Sequence, residues 1–233
     1  MSRAERYFDL VVAILLLPLF ASAAAVIAVA IYLDSPGPVL YRSWRIGRHG
    51  RPFAMLKFRK MRREAPSHPV TLEDDARFTP IGRFLATTRL DELPQIYNVL
   101  RGEMRLVGPR PELECFVSEY ADQYAEILTV MPGLTGRAQL RFLDERRLLE
   151  GDDPERSYRD IVLPEKIKID IEYVRNHSLC SDVAILARTF AVPVALLLTR
   201  MRERSAILGV WLPTTATAVG LVLAFVLAST RLG

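Results

Sequence analysis

Two carboxylates, Asp91 and Glu92, stand side by side just ahead of Pro94 in "TRLDELPQIYNVLRGEMRLVGPRP". Proline is tolerated in the first turn of a helix and not deeper, so the pair sits at or just before a helix N-terminus. Helix capping is the plainest use of an acid there. Three features point further. One carboxylate is enough for a cap, and two are adjacent. Arg83, Arg89, Arg101, Arg105 and Arg110 crowd the pair in sequence. Pro109 and Pro111 fix the backbone on either side of Arg110, which lowers the entropy cost of aiming its guanidinium. That planar fork matches phosphate oxygens, and a helix N-terminus also attracts anions. These features describe a site for a phosphorylated ligand with carboxylates set against it. Carboxylates repel phosphate unless a cation intervenes, and Mg²⁺ takes one or two carboxylates together with substrate phosphates and waters. Asp91, beside the arginines at the helix end, is also available as a nucleophile, as in aspartyl-phosphate chemistry.

The elements that position these groups begin with a long apolar run, "LVVAILLLPLFASAAAVIAVAIYL" (10–33). About 24 residues at 1.5 Å each give roughly 36 Å of helix, enough to cross a bilayer core. The core of a cleaved signal peptide is much shorter, and here "ASAAA" lies mid-run with apolar residues beyond it. Arg3 and Arg6 precede the run, and Arg42, Arg45, Arg48 and Arg51 follow it. Basic residues mark the cytoplasmic side, and both flanks are basic. Pro18 near the middle predicts a kink. Basic ends and a central kink suit a re-entrant helix that enters and leaves by one face, with a kinked spanning helix as the alternative. A second apolar run, "AILGVWLPTTATAVGLVLAFVLAS" (206–229), reads as a spanning helix, with a surface-lying one as its rival.

Between the runs, "VLYRSWRI" and "PFAMLKF" around "GRHGR" predict a β-hairpin. It carries Arg42, Arg45, Lys57, Arg59 and Lys60, read mainly as a basic surface near lipid. Lys57 and Arg59 point the same way on a strand, and one of them is placed to reach a phosphate. "TPIGRFLATT" predicts a short helix, and further helices are expected at about 112–128, 164–177 and 179–199. The last reads as amphipathic and interfacial. "REAPSHPVTLEDDARF" and "MPGLTGRAQ" read as loops, and "RRLLEGDDPERSYRDIVLP" as a charged, exposed segment. The formal net charge of +4 suits a negative partner. Cys115 and Cys180 form no close-spaced pair, and His49, His68 and His177 are scattered, so neither a disulfide framework nor a zinc site is expected. The fold class expected is α-rich α+β and membrane-associated. It has a re-entrant N-terminal membrane helix (1–35), a cytoplasmic catalytic domain with a small hairpin and amphipathic interfacial helices (36–205), and an extra C-terminal apolar helix (206–233).

The stretch "RLDELPQIYNVLRGEMRLVGPRPE" resembles the signature of the bacterial sugar transferase family, the small monotopic polyprenyl-phosphate phosphoglycosyl transferases. "YFDLVVAILLLPLF", "DSPGPVLYRSWRIGRHGRPFAMLKFRKM", "RFTPIGRFL", "MPGLTGRAQL" and "KIDIEYVRNHSLCSDVAIL" are similar to further family blocks, in family order. The resemblance implies a catalytic domain on the cytoplasmic face of the bacterial inner membrane. It implies transfer of a phosphosugar from a UDP-sugar to polyprenyl phosphate, usually undecaprenyl phosphate, with release of UMP. The implied course is ping-pong: Asp91 attacks, a phosphosugar is held on it, and the lipid phosphate takes it away. Glu92 helps Asp91 hold Mg²⁺. Arg110, between Pro109 and Pro111, binds phosphate with Lys57 and Arg89, and Gln139 and Asp170 contact the nucleotide.

Two positions depart from the family pattern. Ala86 stands where members often carry Arg, which leaves Arg83 or Arg89 to substitute. Leu17 precedes Pro18 where many members have Ser, so a possible back-bond to the helix is missing. Ala86 also keeps a second reading open, a non-catalytic membrane adaptor that retains the fold. Membrane lipids are expected partners and nucleic acid is not, since basic and aromatic residues do not interleave as nucleic-acid binding needs. The second apolar run offers a surface for a homo-oligomer.

Overall fold

In this computed structural model, residues 2–63, 71–72, 75–143, 149 and 153–191 are described. They fall into two compact units that divide after Asn176. The expected C-terminal apolar helix, 206–233, lies outside the described residues, as do the tail of the 179–199 helix and most of the "REAPSHPVTLEDDARF" loop.

The first helix, α1 (Arg3–Asp34), is one continuous element. Ser2 accepts from the Glu5 N–H while the Glu5 carboxylate accepts from the Ser2 N–H, a reciprocal cap that starts the helix sharply. Among the described residues it is the one helix long and apolar enough to cross a membrane, with a mean hydropathy of 2.8 in its most apolar window. Val11, Leu15, Leu19, Val26 and Leu33 are exposed along it. Pro18 lies inside. The Ser22 hydroxyl donates to the Pro18 carbonyl at 2.9 Å, one turn back along the helix.

Both ends of α1 are fastened to the same unit. Near its start, the Arg6 guanidinium donates to the carbonyls of Val99 and Leu100 at 2.7 and 3.0 Å. Asp9, fully buried, accepts from Arg105 at 3.0 Å, and Glu5 lies 3.5 Å from the same guanidinium. At its other end Ile27 and Ile31 pack on Phe58 and Leu85. Beyond them the Asp34 carboxylate accepts from the Ile81 N–H, and the Ser35 carbonyl accepts from Arg59.

The hairpin forms as its alternation predicts. Strands β1 (Leu40–Ile46) and β2 (Pro52–Phe58) pair antiparallel, Ser43 opposite Met55 and Arg45 opposite Phe53. Period-two alternation puts Arg45 and Lys57 on the face that buries Met55. Arg45 and Arg59 are therefore not the solvated surface the sequence suggested, since Arg45 is ion-paired and Arg59 is buried against Ser35.

Thr79 caps α2 (Pro80–Thr88), its hydroxyl accepting from the Gly82 N–H. A Cβ on Gly82 would sit 1.8 Å from the Lys60 carbonyl, so glycine lets α2 lie directly on the chain leaving β2. Arg89 then turns the backbone at φ 59 into a 3-10 turn, Leu90–Glu92, and Pro94 opens α3 (Gln95–Arg101). Asn98 on α3 completes the free side of β2: its side-chain carbonyl accepts from Leu56 N–H at 3.0 Å and its amide donates to the Ala54 carbonyl at 2.9 Å.

The segment read as the loop "MPGLTGRAQ" instead forms strand β4 (Gly133–Thr135) and a short helix, α6 (Arg137–Arg141). β4 runs parallel to β3 (Arg105–Val107). The reason is close approach: a Cβ on Gly133 would lie 2.1 Å from the Gly108 nitrogen, so the glycines that look like loop signals are what let the strands meet. The expected helix at 112–128 is broken into α4 (Glu114–Glu119) and α5 (Ala121–Ile127) at Tyr120. The segment read as exposed is in part core. A turn of helix, α7 (Pro154–Ser157), passes through a π turn at Tyr158–Val162 into α8 (Leu163–Asn176). Tyr158, Val162 and Leu163 join Phe116, Tyr124 and Ile127 in a buried cluster. In the second unit, Ser178 and Ser181 cap each other at the start of a helix over 179–191.

Candidate active site

The short turn after α2 brings Asp91 and Glu92 to the floor of a cavity of about 200 Å³. Asp91 is 2 % exposed. It does not cap α3, whose N-cap is Pro94 with no side-chain hydrogen bond, so the simple capping reading fails. Instead the Lys60 ammonium lies 2.9 Å from Asp91 Oδ2, a charge contact without hydrogen-bond alignment, and that oxygen is buried with no aligned donor.

Glu92 is held by two cations. Arg110 grips it with both terminal nitrogens, Nη1 to Oε2 at 3.1 Å and Nη2 to Oε1, while Lys57 Nζ sits 3.3 Å from Oε1. Burial pushes the Glu92 carboxyl up, but the Arg110 and Lys57 charges, the Arg110 hydrogen bonds and the Arg89 charge outweigh it and hold the group well below the ordinary range. Burial acts the other way on Lys57. Glu92 resists, Arg110 and Lys60 add repulsion, and the ammonium falls to about 8.

Arg110 is aimed by its neighbours. The Pro109 carbonyl accepts from Gly133 N–H at 2.8 Å, and the Glu112 carbonyl accepts from Ile46 N–H at 3.0 Å, so the segment is pinned between β4 and the hairpin. Pro109 and Pro111 themselves lie away from the cavity, in a smaller pocket with Ile46 and Tyr124.

Farther in, Glu112 accepts from Arg45 at 2.8 Å and from the Tyr158 hydroxyl at 2.6 Å. Burial pushes its carboxyl up, yet Arg45, Lys166 and the Tyr158 bond bring it below the ordinary range. Lys166 lies over the Tyr158 ring, 4.8 Å from its centre, and one turn along α8 stands Asp170. Burial raises the Asp170 carboxyl to about 7; Lys166 pulls it down, and Glu112 adds to the rise.

Every charged or amide residue expected at the site lines this one cavity: Asp91, Glu92, Lys57, Arg89, Arg110, Gln139 and Asp170. Ala86 is buried in the same wall, beside which Lys60 and Arg89 supply cations, whereas Arg83 is exposed elsewhere. Sequence reasoning missed Lys60, Arg45, Glu112, Tyr158 and Lys166. Glu112 directly follows Pro111, a signal that was there to read. Tyr158 and Lys166 sat in or after a segment that looked exposed. Among the described residues no group of three or more metal-ligating side chains gathers, and both cysteines are exposed and unpaired.

The sequence model of the family described as bacterial sugar transferase matches residues 1–195. This chain belongs to that family. It is 40 % identical over 190 residues to UDP-glucose:undecaprenyl-phosphate glucose-1-phosphate transferase of Caulobacter vibrioides, covering 79 % of this chain and 67 % of the relative. It is 37 % identical over 195 residues to the Escherichia coli protein of the same name, covering 81 % of this chain and 39 % of that one. UDP-N-acetylgalactosamine-undecaprenyl-phosphate N-acetylgalactosaminephosphotransferase of Aeromonas hydrophila is 35 % identical over 190 residues, 79 % of this chain and 42 % of its own length. The match thus spans about two fifths of the length of the last two.

Proposed function

We propose that this protein transfers a phosphosugar from a UDP-sugar to undecaprenyl phosphate, at the cytoplasmic face of a bacterial inner membrane. An Asp91 oxygen attacks the phosphorus that carries the sugar. The bond to the neighbouring phosphate breaks, UMP departs with the bonding pair, and the sugar phosphate rests on Asp91. An oxygen of undecaprenyl phosphate then attacks the same phosphorus and displaces the Asp91 carboxylate, giving the lipid diphosphosugar. The observation that carries this reading is a buried carboxylate, Asp91, at the floor of a cavity ringed by Lys57, Lys60, Arg89 and Arg110. Such fixed charge supplies what in-line phosphoryl transfer needs, position and stabilisation of developing negative charge. Arg110 and Lys57, which hold Glu92, exchange it for donor phosphate oxygens.

The carboxylates of Asp91 and Glu92 fit Mg²⁺: both are hard oxygen donors, and the buried Asp91 Oδ2 lacks an aligned partner. Bound there, the ion would offset the charge of the donor diphosphate.

An acceptor with a long hydrocarbon tail explains the apolar groove of about 550 Å³ beside the site, lined by Leu17, Phe20, Ala24, Leu56, Leu93 and Tyr97. The re-entrant reading of α1 is supported by its two fastened ends. A straight helix of 32 residues is roughly 48 Å long. A spanning helix would carry one end across the bilayer, whereas Arg6, Asp9, Asp34 and Ser35 all engage one unit. Cysteines placed at positions 3 and 40 are expected to label from the same side; opposite labelling rejects the re-entrant form.

The chemistry is tested by incubating detergent-solubilised protein with a panel of UDP-sugars and Mg²⁺. The expected result is UMP release and an intact-mass increase of one phosphosugar, absent in Asp91→Asn. Turnover retained by that folded variant rejects the nucleophile. Failure of every donor to yield UMP favours the adaptor reading.

A further inference from the structure

The apolar groove beside Asp91 has a direction and a taper. One wall is a single face of α1, where Leu17, Phe20, Ala21, Ala24 and Ala28 recur at helical spacing. From Leu17 to Ala28 the helix axis rises about 16 Å. The opposite wall includes Leu56, Leu93, Pro94 and Tyr97. The end nearer the nucleophile lies toward Ala28. Ala24 and Leu93 pack on one cluster, Ile27, Ile31, Phe58 and Leu85, and Leu93 is the second residue after Asp91. The far end is therefore at Leu17 and Phe20, which flank Pro18. Side-chain size grows in that direction. Ala28, Ala24 and Ala21 leave room near the carboxylates, and Phe20 and Leu17 close in behind them.

The volume sets how much chain the groove takes. An apolar cavity of about 150 Å³ accepts the six carbons of benzene, roughly 25 Å³ per carbon. At that density the groove, about 550 Å³, takes roughly 20 carbons, or about four isoprene units. An undecaprenyl chain has eleven units, so most of it has no place there. We propose that this face of α1 is a ruler that reads about the first four isoprene units of the acceptor and leaves the rest in the bilayer. The inference rests on the acceptor reading above and adds what selects the acceptor, a minimum chain length with no upper limit. On the re-entrant reading Pro18 is the deepest point of α1, so the chain leaves the groove directly into hydrocarbon. The tail arrives from lipid or micelle and not from water. Filling the groove therefore gains packing contacts rather than hydrophobic transfer, and the dependence on length is shallow.

The test uses the full chain in detergent, loaded with the phosphosugar on Asp91. The acceptors are polyprenyl phosphates of two, three, four, seven and eleven isoprene units, each corrected for its partition into the micelle. The apparent KM for discharge should fall by about tenfold from two units to four and stay within about twofold beyond four. Ala21→Phe fills the far part of the groove, so the KM for four, seven and eleven units should rise together to the wild-type value for three. Ala28→Phe, at the near end, should weaken every length alike. Formation of the adduct from the donor checks that each variant folds, and Ala21→Leu and Ala28→Leu replace any variant that fails that check. A wild-type KM that keeps falling up to eleven units overturns the inference, as does a break that stays at four units in the Ala21 variant. A KM independent of length also overturns it and assigns the groove to ordinary bilayer lipid. Each of these results leaves the enzyme reading intact, because the adduct has formed and been discharged. An adduct that no polyprenyl phosphate discharges, or no adduct from any UDP-sugar, overturns both readings together.

Discussion

Asp170→Asn should make this protein more stable in alkaline solution than in acid, relative to the wild type. The Asp170 carboxyl is raised from its ordinary 3.8 to about 7, chiefly by burial, with Lys166 offsetting only part of the cost. Below the unfolded value the group is neutral in both states and imposes no charge penalty. As pH rises toward 7 the unfolded chain gives up the proton while the folded chain keeps it, so folding binds a proton and stability falls. Above about 7 the folded protein carries a buried charge and the whole penalty is present. At about 1.36 kcal/mol per pH unit, the interval from 3.8 to about 7 sums to roughly 4 kcal/mol. Roughly 3 kcal/mol of that accrues between pH 5 and pH 8. Asparagine fills the same space without a charge. Its own amide shifts the comparison by a constant and leaves the pH dependence alone. Thermal unfolding of both proteins in one detergent, followed at pH 5 and pH 8, should show the gap in Tm widening by about 5–10 °C in favour of the variant. A gap that stays constant across that range, or one that closes as pH rises, refutes the assignment of a raised carboxyl at this position.

Four further outcomes follow from the same geometry. Lys60→Met removes the cation beside Asp91 and should slow formation of the phosphosugar adduct by about 10–100-fold in quenched-flow mass measurements, with Lys60→Arg recovering part of the rate. Lys57, lowered to about 8, loses its charge above that pH, so the KM for the donor should rise on the alkaline side; Lys57→Arg should abolish that rise, and an unchanged alkaline limb in the variant assigns it to another group. Asp9→Leu removes a buried carboxylate partner of Arg105 and should destabilise by about 3–5 kcal/mol, while Asp9→Leu with Arg105→Met recovers most of it, as thermal unfolding would report. Gly82→Ala drives a Cβ against the Lys60 carbonyl and should cost about 1–3 kcal/mol together with adduct formation, whereas a fully active and stable variant contradicts the close packing of α2.

The parts legible in the sequence are those in which local pattern and chemistry agree. The hairpin follows from alternation around a basic turn. Proline after the acidic pair fixes where the pair stands relative to α3, and the flanking prolines mark Arg110 as an aimed cation. The misreadings have a common cause: long-range contact reversed a local signal. Gly108, Gly133 and Gly136 look like loop residues, yet they permit a parallel strand pair closer than any side chain would allow. Tyr158 and Val162 sit in a charged segment whose charges face outward on one side of a π turn while its apolar residues complete the core. Arg45 and Arg59 look like interfacial charges until Glu112 and the Ser35 carbonyl, distant in sequence, arrive beside them. Lys60 was visible only as one more cation on the ribbon. Its pairing with Asp91 depends on α2 resting on the backbone at Gly82, a packing event that sequence periodicity does not encode.

The short chain Asp91-Glu92-Leu93-Pro94 is where the two halves of the problem meet. Asp91 and Glu92 line the charged cavity, and Leu93 and Pro94 line the apolar groove. Four consecutive residues therefore form the wall between a site suited to a polar nucleotide sugar and one suited to a hydrocarbon chain. The chain leaves the 3-10 turn at Glu92, and between Glu92 and Leu93 its side chains pass from the charged cavity to the apolar groove. On the proposed chemistry, this is what the covalent step requires. The two substrates have opposite solubility, and a single closed pocket for both would expose the lipid to water or strip water from the diphosphate. A carboxylate in the partition can take the phosphosugar from the polar side and hold it while UMP leaves. The lipid phosphate then needs only to reach the edge of the apolar groove. The strained backbone at Arg89 and the proline at 94 fix the partition at its two ends, one by a left-handed residue and one by a locked φ. The energetic cost of that rigid turn is borne where the two environments have to be kept apart.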